Sequence, residues 1–233
     1  MANFHTHIVG AAGTGIVVNT VLLAAKVTSP SLFASGVALT ALAGIMPDVD
    51  SDHSDSIKII FDILGIVIGT ILAIVLLPFL GILPGLLVLF ASFLLIRYGV
   101  VMPFRKLTAH RGIFHSVPMA FLMCFFTALI SYRIGGLSAL SSWILASMIL
   151  VGFITHLLLD EIYSVNLSGV SLKKSFGTAF KFYSRHNLLG TALVYILMLI
   201  SFMLSPTPIG FLQNVKLNVQ HTQLIGNVFQ HNK

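Results

Sequence analysis

The residues that could do chemistry begin with Met46-Pro-Asp48-Val-Asp50-Ser-Asp52-His53. This stretch holds three of the chain's seven carboxylates and one of its nine histidines. It directly follows an apolar segment. Acids are costly beside hydrocarbon and are kept there for pairing, proton relay or metal binding. Three carboxylates this close repel one another unless a cation neutralises them. The stretch therefore points to a divalent metal held by Asp48 and Asp50, with His53 a further candidate. The competing reading is a solvated acidic turn before a helix, because Ser54, Asp55 and Ser56 are good N-cap residues.

A second pair sits at the end of another apolar run, in His156-Leu-Leu-Leu-Asp160. On a helix, i and i+4 share a face one turn apart. That suits joint ligation, or a carboxylate steadying a ligating imidazole. A plain hydrogen bond at a helix end is the alternative. A third group is His110-Arg111-Gly112-Ile-Phe-His115-Ser116. If helical throughout, its two histidines would point apart, so a loop leading to a cap at Ser116 is expected. Arg111 between them is a natural anchor for a phosphate or carboxylate oxygen. A juxtamembrane arginine meeting lipid headgroups is the alternative. His7 borders the first apolar segment and is better placed than His5. His186, His221 and His231 lack nearby acids and read as surface histidines, while Asp62 is expected to pair with Lys58 along a helix.

The elements that must position these groups are membrane helices. Of the 233 residues, 57% are hydrophobic and 9% charged, with a mean hydropathy of +0.99. Globular soluble chains carry about a quarter charged residues. The composition implies an all-α, polytopic transmembrane bundle. Seven apolar segments are near the roughly 20 residues a crossing needs: 8–25, 31–46, 59–80, 84–102, 117–134, 138–159 and 188–204. The first two are the weakest spans. Pro78 and Gly81 are expected to end the third, and Ser116-Val-Pro118 to cap the fifth. Residues 1–204 read as one membrane domain and 205–233 as a polar, loosely docked tail with a weak strand-like alternation at Val215, Leu217 and Val219. Cys124 reads as a small core residue, and the opening residues do not resemble a cleaved signal peptide.

Seven crossings would put the N-terminus and the loops 47–58, 103–116 and 160–187 on one side. That side carries Lys58, Arg105, Lys106, Arg111, Lys173, Lys174, Lys181 and Arg185, against Lys26, Arg133, Lys216 and Lys233 opposite. Positive loops favour the cytoplasm. His7, Asp48, Asp50, His53, His110, His115, His156 and Asp160 all fall on this expected cytoplasmic side. The net charge of +6 fits orientation and contact with anionic lipid, and no nucleic-acid module accompanies it.

Four blocks in order carry a family resemblance: Thr6-His7, Leu42-Ala-Gly-Ile-Met-Pro47-Asp48-Val-Asp50, His110-Arg111-Gly112-Ile-Phe-His115-Ser116 and Gly152-Phe-Ile-Thr-His156-Leu-Leu-Leu-Asp160. Over about residues 5–190 the chain resembles the YdjM-type bacterial inner-membrane metal-dependent hydrolases, also called LexA-regulated membrane-bound hydrolases. The resemblance implies a helical inner-membrane protein, a metal-dependent hydrolase, and a site at His7, Asp48, Asp50, His110, His115, His156 and Asp160. A more distant likeness is to the helical zinc-dependent phospholipase C and P1 nuclease group. Their N-terminal metal-binding tryptophan has no match here, since the one tryptophan, Trp143, lies within an apolar segment.

Seven or more ligand candidates exceed the four expected around one zinc, so two or more ions are expected. The His/Asp mixture suits zinc, with manganese and iron the other ions such donors accept. The expected activity is hydrolysis of a phosphoester, with a phospholipid among the substrates that an interfacial site would suit. Arg111 would hold a phosphoryl oxygen and Asp50 would serve as an acid–base group. A metal-ion or solute transporter is the alternative, although no acid or histidine falls at the centre of a candidate span. A non-catalytic membrane protein with a structural metal is the third reading.

Overall fold

The computed structural model describes residues 3–50, 55–101, 113–166, 171–172, 180–184 and 187–216. The protein is all-α. It divides into two compact units, the first made of Met1–Ile45 with His115–Lys233 and the second of Met46–Phe114.

The first unit is built around one helix. Helices α1 (Phe4–Ala24), α2 (Pro30–Ala43), α5 (Val117–Arg133), α6 (Ala139–Ile162) and α7 (Leu188–Leu204) surround a core supplied mainly by α6. Helix α6 packs on α1, α2 and α5, and α5 packs on α7. In its most apolar window 61% of α6 is buried, against 22% of α1, so α6 is the interior helix. The helix starts follow local chemistry. Asn3 accepts from the Thr6 amide at 2.8 Å, Ser138 from Ser141 at 3.1 Å, and Asn187 from Gly190 at 2.7 Å. Pro30 and Pro118 occupy first-turn positions, where no amide is needed. Ser116 caps α5, as its sequence context implies.

Lipid tails are as apolar as leucine, so close van der Waals approach holds membrane helices together. Small residues permit it here. A Cβ on Gly152 of α6 would fall 2.1 Å from the Thr40 carbonyl oxygen of α2, so only glycine fits. Asn19 of α1 is fully buried and donates to the Gly15 carbonyl at 2.8 Å and to Met148 Sδ at 3.1 Å. After α6, β1 (Val165–Asn166) pairs antiparallel with β2 (Ser171–Leu172). The chain bends by 77° after α7 into α8 (Ile209–Lys216). Phe211 of α8 packs on Cys124, Ala128, Trp143 and Ala146, and Trp143 Nε1 donates to the Pro206 carbonyl at 2.9 Å. Val215 is therefore helical rather than part of a strand, while Leu217 and Val219 lie outside the described residues.

The second unit is a helical hairpin. A 3-10 turn, Met46–Asp50, precedes α3 (Asp55–Leu80) and α4 (Ile82–Leu94), which continues as a π-helical turn over Leu95–Val100. Val49, Ile57, Phe61, Ile96 and Val101 form its small core. Pro78 does not end α3, which runs to Leu80 and stops at Gly81 in a left-handed conformation, φ 79°. One proline in a last turn removes one amide bond there and leaves the earlier turns intact. Asp62 pairs with Arg97 across the hairpin, not simply along its own helix with Lys58.

All seven apolar segments are helical, but seven full crossings do not follow. Helices α1, α3, α4 with its π-helical turn, and α6 are long and apolar enough to span, and α7 with α8 would make a fifth as a bent pair. Helix α2 has 14 residues. At 1.5 Å per residue it covers about 21 Å, short of a hydrocarbon core of about 30 Å.

Candidate metal centre

Three parts of the first unit bring ionisable groups together. The Asn3 cap starts α1 so that His7 falls at the end of its first turn, where it is 1% exposed. His115 immediately precedes the Ser116 cap of α5 and is also buried. His156 and Asp160 lie one turn apart near the C-terminal end of α6, both buried. The i, i+4 spacing turns both toward the same space.

Asp160 is the hub. Its Oδ1 lies 3.3 Å from His7 Nε2, and its Oδ2 lies 3.2 Å from His115 Nε2 and 3.8 Å from His156 Nε2. The His7 and His156 rings stack, with centroids 3.7 Å apart and planes 16° apart. The His115 ring stands edge-on to His156 at 5.1 Å. His156 Nδ1 lies 2.7 Å from the Gly44 carbonyl oxygen. A carbonyl only accepts, so Nδ1 carries a proton there, and Nε2 is the nitrogen that faces Asp160.

These donors fit a metal ion. One ligand atom from each of His7, His156 and Asp160 lies within 4.8 Å of the other two. Around a tetrahedral zinc with bonds of about 2.1 Å, ligand atoms stand about 3.4 Å apart. The 3.3 Å from Asp160 Oδ1 to His7 Nε2 and the 3.8 Å from Asp160 Oδ2 to His156 Nε2 are close to that value. Neither ring nitrogen of buried His7 makes a hydrogen bond, although Nε2 faces the carboxylate. His156, steadied through Nδ1 by the Gly44 carbonyl, has the arrangement that metal-ligating histidines adopt.

The other expected site residues stand as follows. Asp48 lies half-buried in the 3-10 turn of the second unit. The Asp50 backbone belongs to the same turn, and its side chain lies outside the described residues, as do His53, His110 and Arg111. His5 lies edge-on to Phe4, with ring centroids 5.8 Å apart. The participant that sequence reasoning missed is the Gly44 carbonyl. A main-chain acceptor has no side-chain signature, so no residue type announces it.

A family model described as YdjM inner membrane protein matches residues 1–212. No curated protein and no solved structure matches the chain. The distant likeness to the phospholipase C and P1 nuclease group thus finds no support. The match covers all four sequence blocks, and with several apolar helices it makes this a multi-pass inner-membrane protein. With its His/Asp cluster at the ends of packed membrane helices, the chain belongs to the YdjM inner membrane protein family.

Proposed function

We propose that the protein is a membrane-bound, metal-dependent hydrolase that cleaves a phosphoester at the cytoplasmic face of the membrane. The observation that carries the reading is the convergence of three imidazoles on one buried carboxylate, Asp160. His7, His115, His156 and Asp160 would hold metal, zinc being the best match to the donors. Asp160 turns one oxygen to His7 and the other to His115 and His156, so both of its oxygens would be available to metal. Asp48, Asp50, His53 and His110 are the further metal-ligand candidates that the sequence motifs supply. Bound divalent ions supply a water that ionises near neutral pH and a Lewis acid for the phosphoryl oxygen. Arg111 would hold a non-bridging oxygen by a charge-assisted hydrogen bond. Asp50, if not a ligand, would carry the proton. The basic loops around these motifs support the cytoplasmic side, and a phospholipid or another phosphoester at the bilayer interface is the substrate class this position favours.

The near-complete burial of His7 and His156 supports a second reading, a closed structural metal site without turnover. Elemental analysis of detergent-purified wild type beside His156→Ala comes first. Two or more zinc or manganese ions per chain, reduced in the variant, are expected. Wild type that retains no metal and takes up none on titration would sink both readings. Metal-loaded protein that leaves every phosphoester in a lipid and soluble panel intact would leave only the structural one.

A further inference from the structure

We propose that Gly44, at the C-terminal end of α2, is a positioning residue that fixes the tautomer of His156 and the seat of His7 together. The proposal rests on the metal-centre reading for its effect on metal affinity, but not for its effect on the ring. Two contacts meet at this residue. Its carbonyl oxygen takes the Nδ1 proton of His156 at 2.7 Å. The ring is fully buried, so solvent offers no replacement acceptor. On its other side Gly44 presses against α1. A Cβ there would fall 2.2 Å from Ala11 Cβ and 3.1 Å from the His7 carbonyl oxygen. The backbone at Gly44 is ordinary right-handed helix, φ −64° and ψ −12°, which any residue adopts. Space therefore demands glycine at this position, and conformation does not.

The consequence is mechanical. Carbon atoms pack at about 3.5–4.0 Å, so any side chain at position 44 would part α1 from the end of α2 by more than 1 Å. His7 rides on α1, one turn before Ala11, and stacks on His156 at 3.7 Å. The same displacement would disturb that stack and the carbonyl that holds the Nδ1 proton. Losing an orienting partner of a metal-ligating histidine typically weakens binding about 10–100-fold.

The test uses the metal-free, 15N-histidine-labelled protein in detergent. Long-range 1H–15N spectra report which ring nitrogen carries the proton, with His156 assigned by its absence in His156→Gln. Wild type is expected to show His156 protonated on Nδ1. Gly44→Ala is expected to show mixed tautomers and, in chelator competition, a zinc Kd raised about 10–100-fold. Ala11→Gly with Gly44→Ala removes the nearest clash and is expected to recover most of both losses. A wild-type His156 protonated on Nε2 would overturn the proposal. So would a Gly44→Ala protein identical to wild type, or a loss that persists undiminished in the double variant. If Gly44→Ala does not fold, the wild-type tautomer and the double variant still decide. If wild type binds no zinc, the metal-centre reading fails while the tautomer measurements stand on their own.

Discussion

Replacing Gly152 with alanine is expected to damage both the packing and the site. The new Cβ would start 2.1 Å from the Thr40 carbonyl oxygen and 2.9 Å from Ala43 Cβ. A carbon–oxygen contact of about 3.2 Å requires α2 and α6 to part by about 1.1 Å, and over-packing of this kind costs about 1–3 kcal/mol. If α2 moves as a body, the Gly44 carbonyl retreats from its 2.7 Å contact with His156 Nδ1. At about 3.8 Å that hydrogen bond is lost, at a further cost of about 1 kcal/mol. The better helix propensity of alanine returns about 1 kcal/mol. The net destabilisation is thus about 1–3 kcal/mol. At roughly 2–4 °C per kcal/mol for a chain of this size, the melting temperature should fall by about 2–12 °C. Thermal unfolding in detergent, with zinc affinity measured on the same samples, checks both effects. Gly13→Ala is the control, because its Cβ meets nothing within 4 Å; it should be neutral or stabilise by up to about 1 kcal/mol. A Gly152→Ala protein as stable as Gly13→Ala would refute the packing argument.

Other expected outcomes are narrower. Asp160→Asn should lower bound zinc per chain, read by elemental analysis, because it removes a carboxylate that faces all three histidines. Zinc at about 100 times its Kd should stabilise the wild type by about 2.7 kcal/mol, visible as a raised melting temperature absent from Asp160→Asn. Trp143→Phe removes the donor to the Pro206 carbonyl; limited proteolysis after residue 206 should accelerate, with a stability loss of about 1 kcal/mol. In the second unit, Asp62 and Arg97 are each about one-third exposed. A double-mutant cycle with Asp62→Asn and Arg97→Gln, read by thermal unfolding, should therefore report only a weak coupling that salt diminishes further.

The apolar runs made the helices legible, because length and hydropathy leave few alternatives for a backbone in lipid. The pairing of His156 with Asp160 was legible for a different reason: both sit on one helix, and helical period alone decides whether they meet. His7 and His115 joining them is long-range information. The sequence offered it only as histidines placed at helix ends on one expected side. Three features lay beyond local rules. Asp62 has a lysine four residues earlier, yet its partner Arg97 comes from the next helix. Asn19 lies in the middle of an apolar helix and is tolerated because a backbone carbonyl and a methionine sulfur receive its amide. The number of crossings is not settled by the apolar runs, because apolar composition does not say whether a short helix such as α2 spans or is enclosed by protein. Fourteen residues set that limit, and only the helix bounds reveal it.

The close approach of the helices and the burial of the cluster are two sides of one arrangement. Lipid gives these helices no hydrophobic reason to associate, so contact of small residues must do so. That contact brings α2 against both α1 and α6, at Gly44 on one side and Gly152 on the other. Buried imidazoles and a carboxylate are costly unless they satisfy one another or a cation. Here they sit at the ends of rigid helices, which hold ligands more closely than loops do. A change that loosens the packing therefore costs twice, in lost contact between helices and in polar groups that no longer meet. For this reason the glycines of α2 and α6 should behave in mutagenesis like site residues, although none has a side chain to offer a metal.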